Sequence, residues 1–182
     1  REVIAKVKPD ILHAHSPSLN GLAALSAARS CGLPVVYEVR AFWEDAAVDH
    51  GTSSEWGVRY RLTRASETWV LRRASAVTTI CEGLRQDLVA RGTDAARITV
   101  MPNGVDLALF GTPPAPDPAL AAELGLGEGP VIGFIGSFYD YEGIDDLIAA
   151  MPALIARQPG AKLLLVGGGP CEAALKALAG AS

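Results

Sequence analysis

The 182 residues are 49% hydrophobic, enough for one substantial core or two small ones, and length alone does not choose between them. A net charge of −4 and a pI near 5.4, with no run of one sign, exclude the positive field that holds a nucleic acid backbone. No stretch approaches the roughly 18 apolar residues that span a bilayer.

In chain order, the first apolar run is 10–14 (DILHA), followed by a Ser/Pro turn and a helix from Asn20. A second strand is expected at 34–39 (PVVYEV). A helix over 55–73 sets Val58, Leu62, Ala65 and Trp69 on one face with Arg61, Arg64 and Arg72 beside them, a face that suits either a core or a membrane surface. Strands follow at 76–80 (AVTTI) and 98–101 (ITVM). The stretch 102–130 is rich in Pro and Gly and reads as a connection with one short helix near 118–124. Beyond it come strands at 131–135 (VIGFI) and 162–166 (KLLLV). Between those two strands a helix after Gly143 repeats Ile144, Leu147, Ile148, Met151, Leu154 and Ile155 at helical spacing, and Pro159-Gly160 stops it.

Most of these strands are near-continuous in apolar residues, as strands buried on both faces should be. Strands alternating with helices predict an α/β chain built of Rossmann-like parallel sheet units with flanking helices. The predicted division is a first domain at 1–102, a linker at 103–129 and a second domain at 130–182. Cys31, Cys81 and Cys171 are odd in number and far apart, which fits reduced thiols in the core or at helix ends of a cytoplasmic protein.

Ligands of open parallel sheets sit outside the carboxyl ends of the strands, where helix N-termini present free N–H groups. Three such ends are marked. In HAHSPSLNG, His13 and His15 are two apart and share one side of a strand end. A histidine there either hydrogen-bonds a substrate hydroxyl and steadies developing charge or caps the turn. In IGSFYDYEGIDDLI, Gly136 closes a strand and Gly143 opens a helix, with Ser137 and Glu142 in the loop between. In LVGGGPCEAAL, Gly167, Gly168 and Gly169 either let the backbone approach a ligand closely or serve tight-turn packing, and Pro170 opens a helix. The second and third ends lie on consecutive strands and together offer a diphosphate two sets of N–H donors. Asn103-Gly104 is a turn signal that calls for positive φ.

The order DILHAHS, PVVYEVRAFWED, ASAVTTICEGLRQDL, ITVMPNGVDLALF, GFIGSFYDYEGIDDLIAAMPAL and LLLVGGGP resembles the retaining group-1, or family-4, glycosyltransferases of GT-B architecture over nearly the whole chain. The YEVRAFWED run is similar to a subgroup found near bacterial exopolysaccharide and exosortase loci. The resemblance implies a hexosyltransferase-type enzyme of polysaccharide biosynthesis. It would move a sugar from a nucleotide-diphosphate donor to a saccharide or lipid-linked acceptor with retained configuration.

The resemblance further implies that the first domain binds acceptor and the second binds donor. His15 would lie by the transferred sugar. Glu38, Arg40 and Glu44 would make acceptor contacts, and Asn103 and Gly104 would lie near the cleft. The donor loops would be Gly136, Ser137, Glu142 and Gly143, then Gly167, Gly168, Gly169 and Pro170. No metal or other cofactor is expected, since helix ends and side chains take the leaving diphosphate in that architecture.

Two departures qualify the resemblance. Family members commonly carry Arg after the first loop glycine and Lys before the second, where this chain has Ser137 and Glu142. A unit charge about 4 Å from a phosphate is worth about 4 kcal/mol at an effective dielectric near 20, so Glu142 does not replace that lysine. Backbone N–H groups and the Ser137 hydroxyl must carry more of the phosphate, with Glu142 facing either a sugar or solvent.

The family's downstream glutamate pair and its opening glycine-rich loop are also not among these residues. The chain is therefore expected to be the central part of a longer enzyme, inactive alone, cytoplasmic or peripheral at the inner membrane face, and prone to self-association. The rival readings are a non-catalytic nucleotide- or partner-binding module and a sugar-nucleotide epimerase.

Overall fold

Each of the six apolar runs forms a strand in the computed structural model, which describes residues 2–181. The strands are β1 Leu12–His15, β2 Val35–Val39, β3 Ala76–Thr79, β4 Ile98–Val100, β5 Val131–Ser137 and β6 Lys162–Gly168. The helices are α1 Glu2–Val7, α2 Ser18–Arg29, α3 Trp43–Asp49, α4 Val58–Arg73, α5 Glu82–Ala90, α6 Leu107–Phe110, α7 Pro118–Glu123, α8 Ile144–Arg157 and α9 Glu172–Ala181. The chain divides into two compact units, Arg1–Val105 and Asp106–Ser182.

In the first unit the strands make one parallel sheet in the order β1-β2-β3-β4. Register partners share a face, so Ala14, Tyr37, Val77 and Ile98 form one row across it. All four are buried and join Val39, Phe42, Val70, Leu71, Ala74 and Leu88 in a single core, with Leu22, Ala24 and Leu25 of α2 and Leu84 of α5 packed against it. At roughly 1.5–3 kcal/mol for each large apolar side chain removed from water, this row and its cover hold the sheet in place.

The next row, on the opposite face, is His15, Glu38, Thr78 and Thr99. One face of the sheet is thus apolar and covered by helices, and the other carries a polar line. The Thr78 hydroxyl is buried there without a hydrogen-bond partner.

Helix α4 corrects the sequence reading. Val58, Leu62 and Trp69 are exposed, at 78%, 65% and 42%, while Tyr60, Glu67, Val70 and Leu71 face the interior. The inward stripe has helical spacing but contains a carboxylate, which hid it from a search for apolar periodicity. Glu67 is accepted there because the Tyr37 hydroxyl donates to its Oε1 at 2.6 Å. Burial pushes the Glu67 carboxyl above its ordinary value, and the same burial and the Glu67 contact push the Tyr37 phenol up.

The second unit is a two-stranded parallel sheet, β5 beside β6, under α8 and α9. Phe138, Ile144, Ile148 and Leu175 form its core, with Phe134, Leu163, Leu165 and Cys171 packed against it. The buried stripe of α8 is Ile144, Ile148 and Met151. The expectation that strands are buried on both faces fails in this unit. Val131, Ile135 and Val166 are exposed, because helices cover only one side of β5 and β6. Two short helices precede the sheet, each begun by an aspartate whose Oδ1 accepts a backbone N–H: Asp106 at α6 and Asp117 at α7. The second was read from the sequence and the first was not.

All three cysteines are free. Cys81 stands at the N-terminus of α5, Cys31 just past α2, and Cys171 against the second core. Among the described residues no helix is long and apolar enough to cross a membrane.

Candidate functional site

In the first unit the polar row ends in a cluster of charged side chains at the carboxyl edge of β1 and β2. His13 and His15 project from alternate positions of β1, their rings stacked 4.7 Å apart. Both turn a nitrogen to one carboxylate: His13 Nε2 lies 3.0 Å from Glu38 Oε2, and His15 Nδ1 lies 3.6 Å from Glu38 Oε1. Arg40 Nε stands 3.8 Å from the same Oε1, and its Nη2 donates to Asn103 Oδ1 at 3.0 Å. The fold thus joins His15, Glu38, Arg40 and Asn103, expected from the resemblance in separate roles, into one chain of contacts. Each histidine is about half exposed and Glu38 one-fifth, so the cluster is open to solvent but firmly held at its carboxylate.

The backbone fixes the same edge. The Ser16 N–H donates to the Glu38 carbonyl at 2.8 Å, and the Asn20 amide donates to the His15 carbonyl at 3.2 Å across the turn with its cis Ser16–Pro17 bond. The N-terminus of α2 follows directly. Ser16 Oγ accepts from the Arg40 N–H at 3.4 Å, which ties the end of β1 to the residue after β2.

Two expectations change. Glu44 does not share this edge: its side chain is enclosed, its Oε1 accepts from Arg91 Nη1, and Arg91 also lies 3.7 Å from Asp45 Oδ2 and 3.4 Å over the Phe42 ring. Its partner lies 47 residues further along the chain, so sequence proximity to Arg40 was misleading. Asn103-Gly104 makes no positive-φ turn, and nothing lies within 4 Å of a side chain at Gly104. The segment runs out of β4 without a reversal, and Asn103 instead spends its side chain on Arg40.

In the second unit the two glycine-rich loops lie together. The Phe138 N–H donates to the Gly168 carbonyl at 3.0 Å, and the Cys171 N–H donates to the Phe138 carbonyl at 3.1 Å. Gly167 and Gly169 have φ of 151° and 159°, and a Cβ there would sit 1.8 Å from the Gly136 carbonyl oxygen and 2.7 Å from that of Phe138. These glycines are required by backbone packing between the loops themselves. The close approach expected toward a ligand is made instead to the end of β5 and the loop after it.

Between β5 and α8 a single 3-10 turn, Asp140–Glu142, leads to Gly143 in left-handed conformation. Ser137 and Glu142 are exposed. Pro170 begins the turn that enters α9 at Glu172. Asp140, Glu142, Asp145 and Asp146 crowd the start of α8, whereas the unit's cations are Arg157, Lys162 and Lys176, the last engaged with Glu172 at 2.7 Å. Any anion at the start of α8 therefore meets backbone N–H groups within an acidic rim.

A third surface was half seen from sequence. On the outer side of α4, Trp56, Arg61, Arg64, Trp69, Arg72 and Arg73 border a groove of about 380 Å³. Arg73 lies 3.8 Å over the Trp69 ring and Arg64 5.4 Å from that of Trp56. Among the described residues none of these arginines has a carboxylate partner.

The glycosyl transferase 4-like domain model matches residues 1–104, and the glycosyl transferases group 1 model matches 129–182. A 2-deoxystreptamine glucosyltransferase of Streptomyces kanamyceticus is 34% identical over 86% of this chain and 41% of its own length. A D-inositol 3-phosphate glycosyltransferase of Nocardia farcinica is 30% identical over 92% and 37%. The chain spans about two-fifths of the length of these curated relatives. Among solved structures, Anabaena HepE in complex with UDP superposes with a TM-score of 0.68 at 21% identity, over 92% of this chain and 44% of that one. That likeness gives the fold, parts of the two Rossmann-like domains of a GT-B glycosyltransferase.

Proposed function

Because the chain belongs to the glycosyl transferase 4-like domain family, we propose that its protein transfers a sugar from a nucleotide-diphosphate donor to a saccharide or lipid-linked acceptor with retained configuration. The observation that carries this reading is the convergence of His15, Glu38, Arg40 and Asn103 at the carboxyl edge of a parallel sheet. In this reading the first unit takes the acceptor and the reacting sugar. His15, oriented by Glu38, hydrogen-bonds a sugar hydroxyl and steadies the positive charge that develops at the ring as the donor bond breaks. Arg40 and Asn103 hold acceptor oxygens.

The second unit takes the donor. Its diphosphate lies against backbone N–H groups around Ser137, in the first turn of α8 after Gly143 and at the start of α9, with the Ser137 hydroxyl as a further donor; the Gly143 N–H itself is taken by the Asp140 carbonyl at 3.3 Å. A helix N-terminus contributes only about 0.3–1 kcal/mol to an exposed anion, so the two ends must act jointly. The HepE complex with UDP supports a uridine nucleotide as the first to try. Glu142 stands on the acidic rim of that seat, within the field of the diphosphate, where sugar or ribose hydroxyls donate to it.

The basic and aromatic face of α4 suits the headgroups of an anionic membrane surface that carries the lipid-linked acceptor, on the cytoplasmic side. The exposed strand faces of the second unit favour self-association of the chain as it stands. The experiment that tests the activity is acceptor-dependent release of nucleoside diphosphate by the longer protein. Interconversion of donor sugars without acceptor would make it an epimerase, and nucleotide binding with neither reaction a binding module.

A further inference from the structure

His13, His15 and Glu38 offer more than a hydrogen-bonding edge. We infer that they form a binding site for a divalent transition-metal ion of the zinc class, with two imidazoles and one carboxylate as ligands and the remaining position open. The three side chains each present one ligand atom, and these atoms all lie within 4.8 Å of one another. Tetrahedral zinc with bonds of about 2 Å to N and O separates neighbouring ligand atoms by about 3.3 Å. The His13 Nε2 to Glu38 Oε2 distance of 3.0 Å is close to that value, and the His15 ligand nitrogen lies within the 4.8 Å that spans the set. Small ring rotations at half-exposed histidines complete the set.

The arrangement follows from the sheet and not from chance contacts of long side chains. Positions two apart on a strand point to one face, and Glu38 is the register partner of His15 on the adjacent strand. Two histidines and a carboxylate are thus delivered to one spot by three short stems on hydrogen-bonded backbone, so little side-chain order remains to be imposed on binding. The ligand types suit zinc, which accepts imidazole and carboxylate, and not magnesium, which favours oxygen alone. Among the described residues Arg40 is the arginine or lysine paired with this carboxylate. It approaches Oε1 at 3.8 Å and is tethered to Asn103, which leaves Oε2 on the His13 side to the metal.

The consequence rests on the role proposed above for His15. A seated metal takes the lone pair and the carboxylate that a sugar hydroxyl would otherwise meet, so metal and acceptor-side ligand exclude one another and micromolar zinc is an inhibitor of the transfer. Binding itself does not depend on that role.

The test is zinc titration of the 182-residue chain at pH 7.5 against a chromophoric chelator, with cobalt(II) substitution read in the visible spectrum. Expected are one bound metal per chain, a cobalt spectrum without thiolate charge transfer, and unchanged binding when Cys31, Cys81 and Cys171 are replaced by serine. His13→Ala, His15→Ala and Glu38→Gln each weaken the affinity tenfold or more, with far-UV circular dichroism unchanged. Should an alanine variant lose its fold, His13→Asn replaces it.

Unchanged affinity in folded His13 and Glu38 variants, or a thiolate band in the cobalt spectrum, overturns the site. UDP titration of the same variants separates the two readings, since the donor-side residues are elsewhere. Nucleotide binding that persists without metal binding leaves the proposed transferase in place and removes only the metal.

Discussion

The first unit does its polar work with side chains, and the second with backbone. At the carboxyl edge of β1 and β2, one carboxylate organises two histidines and an arginine, and away from that edge a second carboxylate, Glu44, is enclosed with Arg91. At the corresponding edge of β5 and β6 glycines bring two stretches of main chain into contact, and the nearby Lys176 is engaged by Glu172. Side-chain sites fail when a charge loses its partner, and backbone sites fail when a Cβ is added. The two units should therefore break under different substitutions.

The largest effect is expected at the enclosed ion pair. Arg91→Ala leaves Glu44 buried without its partner, one of whose oxygens already lacks a hydrogen bond. It should destabilise the first unit by about 3–5 kcal/mol in urea denaturation. Glu172→Ala breaks an exposed pair with Lys176 and should cost under about 0.5 kcal/mol.

Next come the loops of the second unit. Gly167→Ala forces a Cβ onto the Gly136 carbonyl and should cost about 1–3 kcal/mol and shift the amide resonances of both loops. Gly133→Ala on the open face of β5 meets nothing within 4 Å and should be near neutral.

A smaller, pH-dependent effect belongs to Glu67. Its pKa in the folded chain is raised, first by burial, from an ordinary value of 4.5. The stability tied to its protonated form is complete below that value and is lost as pH rises through the folded pKa. Glu67→Gln keeps a neutral side chain at every pH, so its melting temperature relative to the parent should climb from pH 4.5 to 8. A constant difference would mean that Glu67 does not titrate on unfolding. Tyr37→Phe removes the hydroxyl that donates to Glu67 Oε1 and should cost about 1–3 kcal/mol.

The smallest effect on stability, under about 0.5 kcal/mol, is expected for Arg61→Glu with Arg64→Glu on the outer face of α4. The same pair should abolish co-sedimentation with phosphatidylglycerol vesicles while leaving nucleotide binding intact.

How much of this was legible in the sequence follows the same division. Strands buried against helices announce themselves as apolar runs, and the α8 stripe of Ile144, Ile148 and Met151 needed only helical spacing to be seen. The α4 stripe did not, because its centre is Glu67 and its solvent face holds Val58, Leu62 and Trp69. His13 and His15 stood out as polar residues at a strand end, whereas Glu38 and Arg40 were reached only through the family resemblance, and the register that sets Glu38 against His15 is a property of the sheet. Glu44 looked like a neighbour of that group and belongs to Arg91, which no local pattern reveals. The glycines of GGGP were visible, but their reason, the Gly136 and Phe138 carbonyls, lies in another segment.

The most direct measurement is calorimetric titration of the chain with UDP at two salt concentrations, alongside Glu142→Lys. A backbone-held diphosphate inside an acidic rim should bind the parent saturably with shallow salt dependence. The lysine should tighten it by about tenfold, equivalent to about 1.4 kcal/mol, and steepen that dependence. A folded chain that binds no UDP, or a Glu142→Lys variant with unchanged affinity and salt response, would contradict a donor seat at the start of α8.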